Sequence, residues 1–310
     1  MHHISYGSRG KKWLVPIRYL VQSIQTLSAL LKERPKVVFV QNPPIVILFP
    51  VALYCLFFRA KYIIDSHTGV FTDFKKTLWL HKWLSKYALT TIVHNRMQAE
   101  IVKAWEVPYV VLGFADTEYP IGSDFPLKEG FTVAFSCACA PDEPMLEVFK
   151  AAEMTPEVNF YITGNYKRLD QAVLDKKPEN CTFTGFVDFD DYVGLLRKSD
   201  AVMALTTRDE TLLSGGFEAV SLERPFIVSD WPLLQEYFSK GSVYVDNTAA
   251  GIAQGVRTVI ANQEQLDKDI IELRATLNDE WEASSKEVKQ LINAYARSKQ
   301  VNVSKPVYTE

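Results

Sequence analysis

The chain has 310 residues, 47% hydrophobic and 23% charged, with a formal net charge of −3; this is apolar material enough for one large domain or two of ordinary size, and it excludes a disordered or fibrous chain. Four cysteines (Cys55, Cys137, Cys139, Cys181), none in a CxxC pair, exclude a disulfide framework and a structural zinc and point to a reducing compartment. Charge is unevenly spread, 15 Lys/Arg against 8 Asp/Glu in residues 1–125 and 19 against 29 in the remainder, so the front half is a basic unit suited to an anionic partner such as a membrane or a charged substrate.

Residues 1–10 lack the apolar core of a secretory leader. A helical pattern over 13–32 follows. Short runs rich in Val, Ile and Phe then recur at 37–41, 61–65, 91–94 and 110–112, and again at 131–136, 159–163, 181–184, 201–205, 226–229 and 242–245. Apolar continuity without strict alternation marks strands covered on both faces. Helical patterns between them, including 144–152, 190–198 and 217–222, predict an α/β chain with two parallel sheets. The uncharged stretch 45–58 is shorter than the roughly 20 residues of a membrane span, so it reads as a buried or interfacial helix. Residues 74–87 set Lys75, Lys76, Lys82 and Lys86 beside Trp79 and Trp83, which share one helical face; this fits an interfacial helix or an amphipathic core helix with a solvated basic side. Cys137 and Cys139, placed on a strand, would turn both thiols to one face of the core. The polar stretch 117–130 is the expected linker. From about 247 the pattern is helical, and 273–298 is expected to lie back across the first domain. The expected domains are therefore 1–125, 126–272, and a C-terminal helix 273–310.

In such sheets ligands bind past the carboxyl ends of strands. After 61–65 come Asp65, Ser66 and His67, where an imidazole could orient a hydroxyl or exchange a proton, or merely be satisfied by backbone. After 201–205 come Glu210 and Glu218, eight positions apart, on a loop and on the following helix. Carboxylates accept paired bonds from vicinal diols, while the amides of Leu212 to Gly216 sit at a helix N-terminus and suit a diphosphate. Two surface glutamates would give the same spacing; the strand before them and the glycines between them favour the site. Ser136 opens the loop after 131–136, in which Asp142 or Glu143 is the N-cap and first-turn acid of a helix. Gly164 with Asn165, and Gly185 with Phe186, are strand-end turns that let backbone approach a planar base.

Glu210-x7-Glu218 followed by Ala219 to Val228 resembles the paired-glutamate signature of family 4 glycosyltransferases of the GT-B type, two Rossmann-like domains facing across a cleft. Gln41-Asn-Pro-Pro44, Ile64-Asp-Ser-His67 and Ser136-x4-Pro141-Asp-Glu143 also resemble pieces of the dolichol-pathway beta-mannosyltransferases, which act on a lipid-linked acceptor. The resemblance implies a hexosyltransferase using a UDP- or GDP-linked sugar, with no cofactor and no metal. By the same resemblance it would act at the cytoplasmic membrane face on a lipid-linked or cell-surface glycan precursor. Glu218 would hold the ribose, Glu210 the transferred sugar, His67 the donor sugar near the reacting centre, and Leu213, Ser214 and Gly215 the phosphates. Ser136, Gly164, Asn165 and Phe186 would complete the donor site. Leaving-group stabilisation would then be the principal catalytic effect. The paired glutamates favour a retaining reaction; an inverting one would need Asp65 or His67 as base. The sequence departs from the family in three places. The loop 136–144 carries no cation, leaving Lys167, Arg168 or Arg208 to meet the diphosphate. Leu213 stands where the family has Gly. The first βα unit and its Gly-rich loop have no counterpart in residues 1–9. A catalytically impaired membrane-associated partner and a sugar-nucleotide epimerase are the competing readings.

Overall fold

The computed structural model describes residues 15–303. They form two compact units, one running to Phe114 and taking in the chain from Glu280, the other Ala115–Asp279. The expectations for residues 1–10 and for a helix start at 13 lie outside the described residues.

The first unit runs α1 (Val15–Glu33), β1 (Val37–Asn42), α2 (Leu48–Phe58), β2 (Lys61–Ser66), α3 (Thr68–Phe71), α4 (Leu78–Ser85), β3 (Thr90–Val93), α5 (Arg96–Lys103) and β4 (Tyr109–Val111). Its sheet is wholly parallel in the order β1-β2-β3-β4, with Val40 opposite Ile64 and Ile92 opposite Val110. Successive residues of β2 enter different cores because side chains alternate across a strand. Tyr62 and Ile64 pack with Leu30 of α1, Leu48 and Tyr54 of α2 and Leu84 of α4, whereas Ile63 packs with Ile92, Val110 and Val288. Both faces are covered, hence the unbroken apolar run. No helix among the described residues is long and apolar enough to cross a membrane.

The second unit runs β5 (Phe131–Phe135), α6 (Met145–Glu153), β6 (Val158–Thr163), α7 (Gln171–Leu174), β7 (Cys181–Gly185), α8 (Phe189–Lys198), β8 (Ala201–Ala204), α9 (Ser214–Ser221), β9 (Phe226–Ser229), α10 (Pro232–Tyr237) and β10 (Ser242–Val245). All pairings are parallel and the order is β10-β9-β8-β5-β6-β7, so the winding reverses between β5 and β8. Val133, Phe135, Phe160, Met203 and Ile227 form one core with α6 and the start of α11 (Ala249–Val303). Asn262 breaks helical geometry inside α11 (φ −125°, ψ 17°). In the first unit Val288 of α11 is a core residue and the Tyr295 hydroxyl donates to Arg59 O (2.5 Å).

Two expectations are corrected. The polar stretch 117–130 is no free linker: Arg197 donates to Tyr119 O and Pro120 O (both 3.1 Å), Ser123 N to Asp190 O (2.9 Å) and Lys128 N to the Tyr161 hydroxyl (2.9 Å). These bonds attach it to α8 and β6, so the division falls after Phe114 and not at 125. Residues 273–279 likewise belong to the second unit, where Arg274 pairs with Asp116 (2.6 Å) and Glu223 (2.7 Å). The cysteine pair is not on a strand either. β5 stops at Phe135, and Cys137 and Cys139 lie on the following loop, both thiols donating to Thr163 O (3.2 and 3.7 Å).

Candidate functional site

Where the second sheet reverses its winding, loops diverge on either side of a crevice at the strand ends. Ser136 stands at the end of β5, its amide still bonded to Met203 O of β8 (2.9 Å). Its hydroxyl donates to Glu218 Oε2 (3.0 Å) and lies 2.8 Å from the Tyr192 hydroxyl, which also donates to Glu218 Oε2. Ser136 from β5, Tyr192 from α8 and Glu218 from α9 thus close a triangle. Both bonds fall on Oε2, leaving Oε1 without a hydrogen bond among the described residues. Burial, reinforced by the Glu218 charge, raises the Tyr192 phenol above its ordinary range, so it stays protonated and keeps donating. The close approach of α9 to the strands depends on Gly215: a Cβ there would lie 2.8 Å from that of Ala204 and 2.9 Å from that of Ser136.

The loop carrying Glu210 is fixed at its root. Thr206 N donates to Ser229 Oγ (2.8 Å), Thr206 Oγ1 to Asp142 (2.9 Å), and Thr206 O accepts from Trp231 (2.8 Å) and Asn247 (3.0 Å). Beyond it Glu210 adopts a left-handed backbone (φ 62°), and Leu213 precedes the first turn of α9, which begins with Ser214 and Gly215.

Asp142 and Glu143 are not simple helix caps: Asp142 ties down the Thr206 loop, and Glu143 accepts from Ala138 N (2.9 Å) and Ala140 N (2.7 Å) of its own loop. Burial raises the Glu143 carboxyl despite these bonds. Of the three cations considered for the diphosphate, Arg168 reaches this loop, donating to Ala138 O (3.3 Å) and lining a cavity of about 400 Å³ with Cys139, Pro141 and Glu143. Gly164 sits at φ 84° with Cys137 O only 2.3 Å from where a Cβ would be. Asn165 caps the turn that follows, accepting from Lys167 N (3.3 Å), and Phe186 is an exposed ring after the edge strand β7. Sequence reasoning missed Tyr192, which lies inside a helix and so escapes a search confined to strand ends.

The first unit has a strand-end cluster of its own. Asp65 is the next-to-last residue of β2, and His67 and His94 follow β2 and β3. His67 Nε2 lies 3.2 Å from Asp65 Oδ2 and His94 Nε2 2.8 Å from Asp65 Oδ1, the two rings 4.7 Å apart. His94 Nδ1 donates to Leu112 O (2.9 Å) at the end of β4, and Gln41 Nε2 lies 3.0 Å from His67 Nε2. Burial alone would raise the Asp65 carboxyl, but the two imidazole bonds reverse that and hold it well below the usual range. The same bond raises His67, with burial acting against it. Asp65, His67 and His94 bring three ligand-capable atoms within 4.8 Å of one another, held together by the imidazole–carboxylate contacts just described. His94 was legible, being the residue after β3, had each strand end been searched alike.

Residues 144–296 match the family model described as glycosyl transferase-like. Among solved structures, the chain is similar to a sucrose-phosphate synthase from Thermosynechococcus elongatus (TM-score 0.71, 14% identity, covering 94% of this chain and 81% of that one). It is also similar to Anabaena HepE in complex with UDP and glucose (0.68, 11%, 91% and 83%) and to a putative UDP-N-acetylglucosamine 2-epimerase from Listeria monocytogenes (0.61, 15%, 86% and 76%). The fold is that of the GT-B glycosyltransferases. No curated protein sequence matches the chain.

Proposed function

We propose that the protein is a glycosyltransferase whose second unit holds a nucleoside-diphosphate sugar, UDP- or GDP-linked. The observation that carries this reading is the Glu218 carboxylate, held by Ser136 and Tyr192 at the reversal point with one oxygen left for a ribose diol. Glu210 then takes the transferred sugar, and the amides of Leu213, Ser214 and Gly215 at the start of α9 take the diphosphate, so no metal is assigned to the phosphates. Gly164, Asn165 and Phe186 are assigned to the nucleoside side. The family resemblance assigns His67 to the donor sugar and favours a retaining reaction, Asp65 or His67 being the base of the inverting alternative. The epimerase neighbour keeps a second reading alive.

Calorimetric titration with UDP and then GDP tests the donor site. One of them binds with its affinity lowered by Glu218→Ala; binding of neither, or binding unchanged in that variant, overturns the assignment. Free nucleotide released only when an acceptor is present separates transfer from epimerisation.

The acceptor is proposed to be lipid-linked, met at the cytoplasmic face of a membrane. Leu56 on α2 and Trp79 on α4 are 75% and 71% exposed, with Phe57 and Trp83 beside them in sequence, and Lys75, Lys76 and Lys86 are exposed on and around α4. Exposed aromatic and aliphatic side chains next to lysines suit an anionic lipid surface. Flotation with vesicles containing phosphatidylglycerol recovers the protein at low salt and loses it when Lys75, Lys76, Lys82 and Lys86 are reversed to Glu; unchanged flotation of that variant removes the electrostatic argument.

A further inference from the structure

We infer that the loop after β5 sets the spacing of the two glutamates at the donor site, with Asp142 as a positioning residue for Glu210. The inference rests on the proposed assignment of Glu210 to the transferred sugar. The loop starts at Ser136, whose hydroxyl holds Glu218 (3.0 Å). Near its other end the Asp142 carbonyl accepts from Thr207 N (2.7 Å) and Thr207 Oγ1 (3.1 Å), and the Asp142 carboxylate accepts from Thr206 Oγ1 (2.9 Å). Thr206 and Thr207 are the root of the loop between β8 and α9 that carries Glu210. Between the two ends Glu143 folds back onto Ala138 N (2.9 Å) and Ala140 N (2.7 Å), which braces the loop. One braced segment is thus bonded to one glutamate and to the root of the other, at the point where the sheet reverses its winding.

The Glu210 loop needs such a tie. It leaves β8 at Ala204 and enters α9 at Ser214 with neither strand nor helix between, so hydrogen bonds outside a regular ladder must hold it. Glu210 itself has a left-handed backbone (φ 62°), which a residue other than glycine keeps only where its surroundings impose it. The bonds that impose it form a short chain. Glu210 N donates to Asp209 Oδ1 (2.7 Å), Arg208 N donates to Thr206 Oγ1 (3.1 Å), and the Thr206 hydroxyl donates in turn to Asp142. Thr206 is buried, and its hydroxyl, accepting on one side and donating on the other, stays aligned while Asp142 offers an acceptor. Removing that acceptor loosens the exposed residues Thr207 to Asp209 and Glu210 beyond them. Ser136, Tyr192 and Glu218 keep their own bonds, so bare nucleotide and sugar conjugate respond differently.

The test compares bare nucleotides with their sugar conjugates by calorimetry, using UDP, UDP-glucose, UDP-N-acetylglucosamine, GDP and GDP-mannose. Hydrogen exchange of residues 205–213 is followed beside it in the unliganded full chain. Asp142→Ala and Thr206→Val each weaken the conjugate that the parent binds best about tenfold, the loss of one hydrogen bond to a charged acceptor, and leave the matching bare nucleotide within about twofold. Glu210→Ala shows the same selective loss. Asp142→Asn, which still offers an oxygen to Thr206, and Thr206→Ser keep conjugate binding within about threefold of the parent. The double variant Asp142→Ala/Thr206→Val is no worse than either single one, and exchange in 205–213 quickens in Asp142→Ala but not in Asp142→Asn. Equal losses on conjugate and bare nucleotide, no loss on the conjugate in Asp142→Ala or Glu210→Ala, no rescue by Asp142→Asn, or unchanged exchange overturns the role of Asp142 while the parent's nucleotide binding stands. A parent that binds none of these probes overturns the donor reading itself, and this role with it.

Discussion

The two units are wound from the same material, parallel strands alternating with helices, yet they gather different chemistry at their strand ends. The first sheet is laid in chain order, β1-β2-β3-β4, and neighbouring strand ends deliver Asp65, His67 and His94 side by side. The second reverses between β5 and β8, so its ends diverge, and the crevice is filled by a loop, a helix start and a carboxylate clamped by two hydroxyls. A sheet that keeps its winding direction stacks side chains of successive strands into a compact cluster. One that reverses opens room for a ligand as long as a nucleotide. All five histidines lie within the first 94 residues, so the contrast extends to proton chemistry.

The contrast breaks most visibly at Glu218. Glu218→Ala removes a charged acceptor from the donor pocket and leaves Ser136 and Tyr192 without their shared partner. UDP or GDP affinity is expected to fall at least about 100-fold, on the order of 3 kcal/mol, measured by calorimetry. A Glu218→Ala variant that binds nucleotide as the parent does would mean that the carboxylate does not meet the ligand.

Proton chemistry gives the next test. His81 of α4 is buried against Phe71 and Trp105, its Nε2 3.1 Å from Ser66 Oγ, and burial depresses it to about 4 from an ordinary 6.5. Between those values the unfolded chain takes up a proton that the folded chain refuses. Its stabilising contribution is therefore whole above about pH 6.5 and is lost as pH falls toward 4, by on the order of 3 kcal/mol. Urea denaturation followed from pH 7 to pH 4.5 should show a steeper loss in the parent than in His81→Gln. Equal slopes would mean that His81 is charged in the folded protein.

The central strands were legible because burial on both faces leaves an apolar run without alternation, as in β3, β8 and β9; the edge strands β1, β7 and β10 are only partly buried. Ser136 and Glu218 stood out by their places after β5 and β8, and the fold joins them by a hydrogen bond; the roles given to them and to Glu210 rest on resemblance. The boundary was not legible. A polar stretch rich in Pro and Gly reads as a linker, and nothing local announces that Arg197, about 77 positions later, will hold its carbonyls. Glu143 looked like a helix-capping acid, and only the folded loop shows its carboxylate bridging two backbone amides. His94, the residue after β3, was within reach of a search of every strand end, but its meeting with Asp65 needs β3 set beside β2; Tyr192 lies inside α8 and needs that helix brought to the end of β5, a placement with no sequence signal near the residue.

The smallest effect addresses how the carboxylate is held. Tyr192→Phe deletes one of the two hydroxyls on Glu218 Oε2 while keeping the ring in place, and Ser136 still donates from β5. If Tyr192 only orients Glu218, the loss is one hydrogen bond to a charged group already partly satisfied, about 1 kcal/mol or five- to tenfold in nucleotide affinity. That loss should vanish when Glu218 is already Ala, because the hydroxyl then has no carboxylate to hold, and the double-mutant cycle reads this coupling directly. An undiminished loss in the Glu218→Ala background would place the Tyr192 hydroxyl on the ligand itself. The carboxylate would then be held chiefly by Ser136, and the clamp in the second unit would have one hydroxyl instead of two.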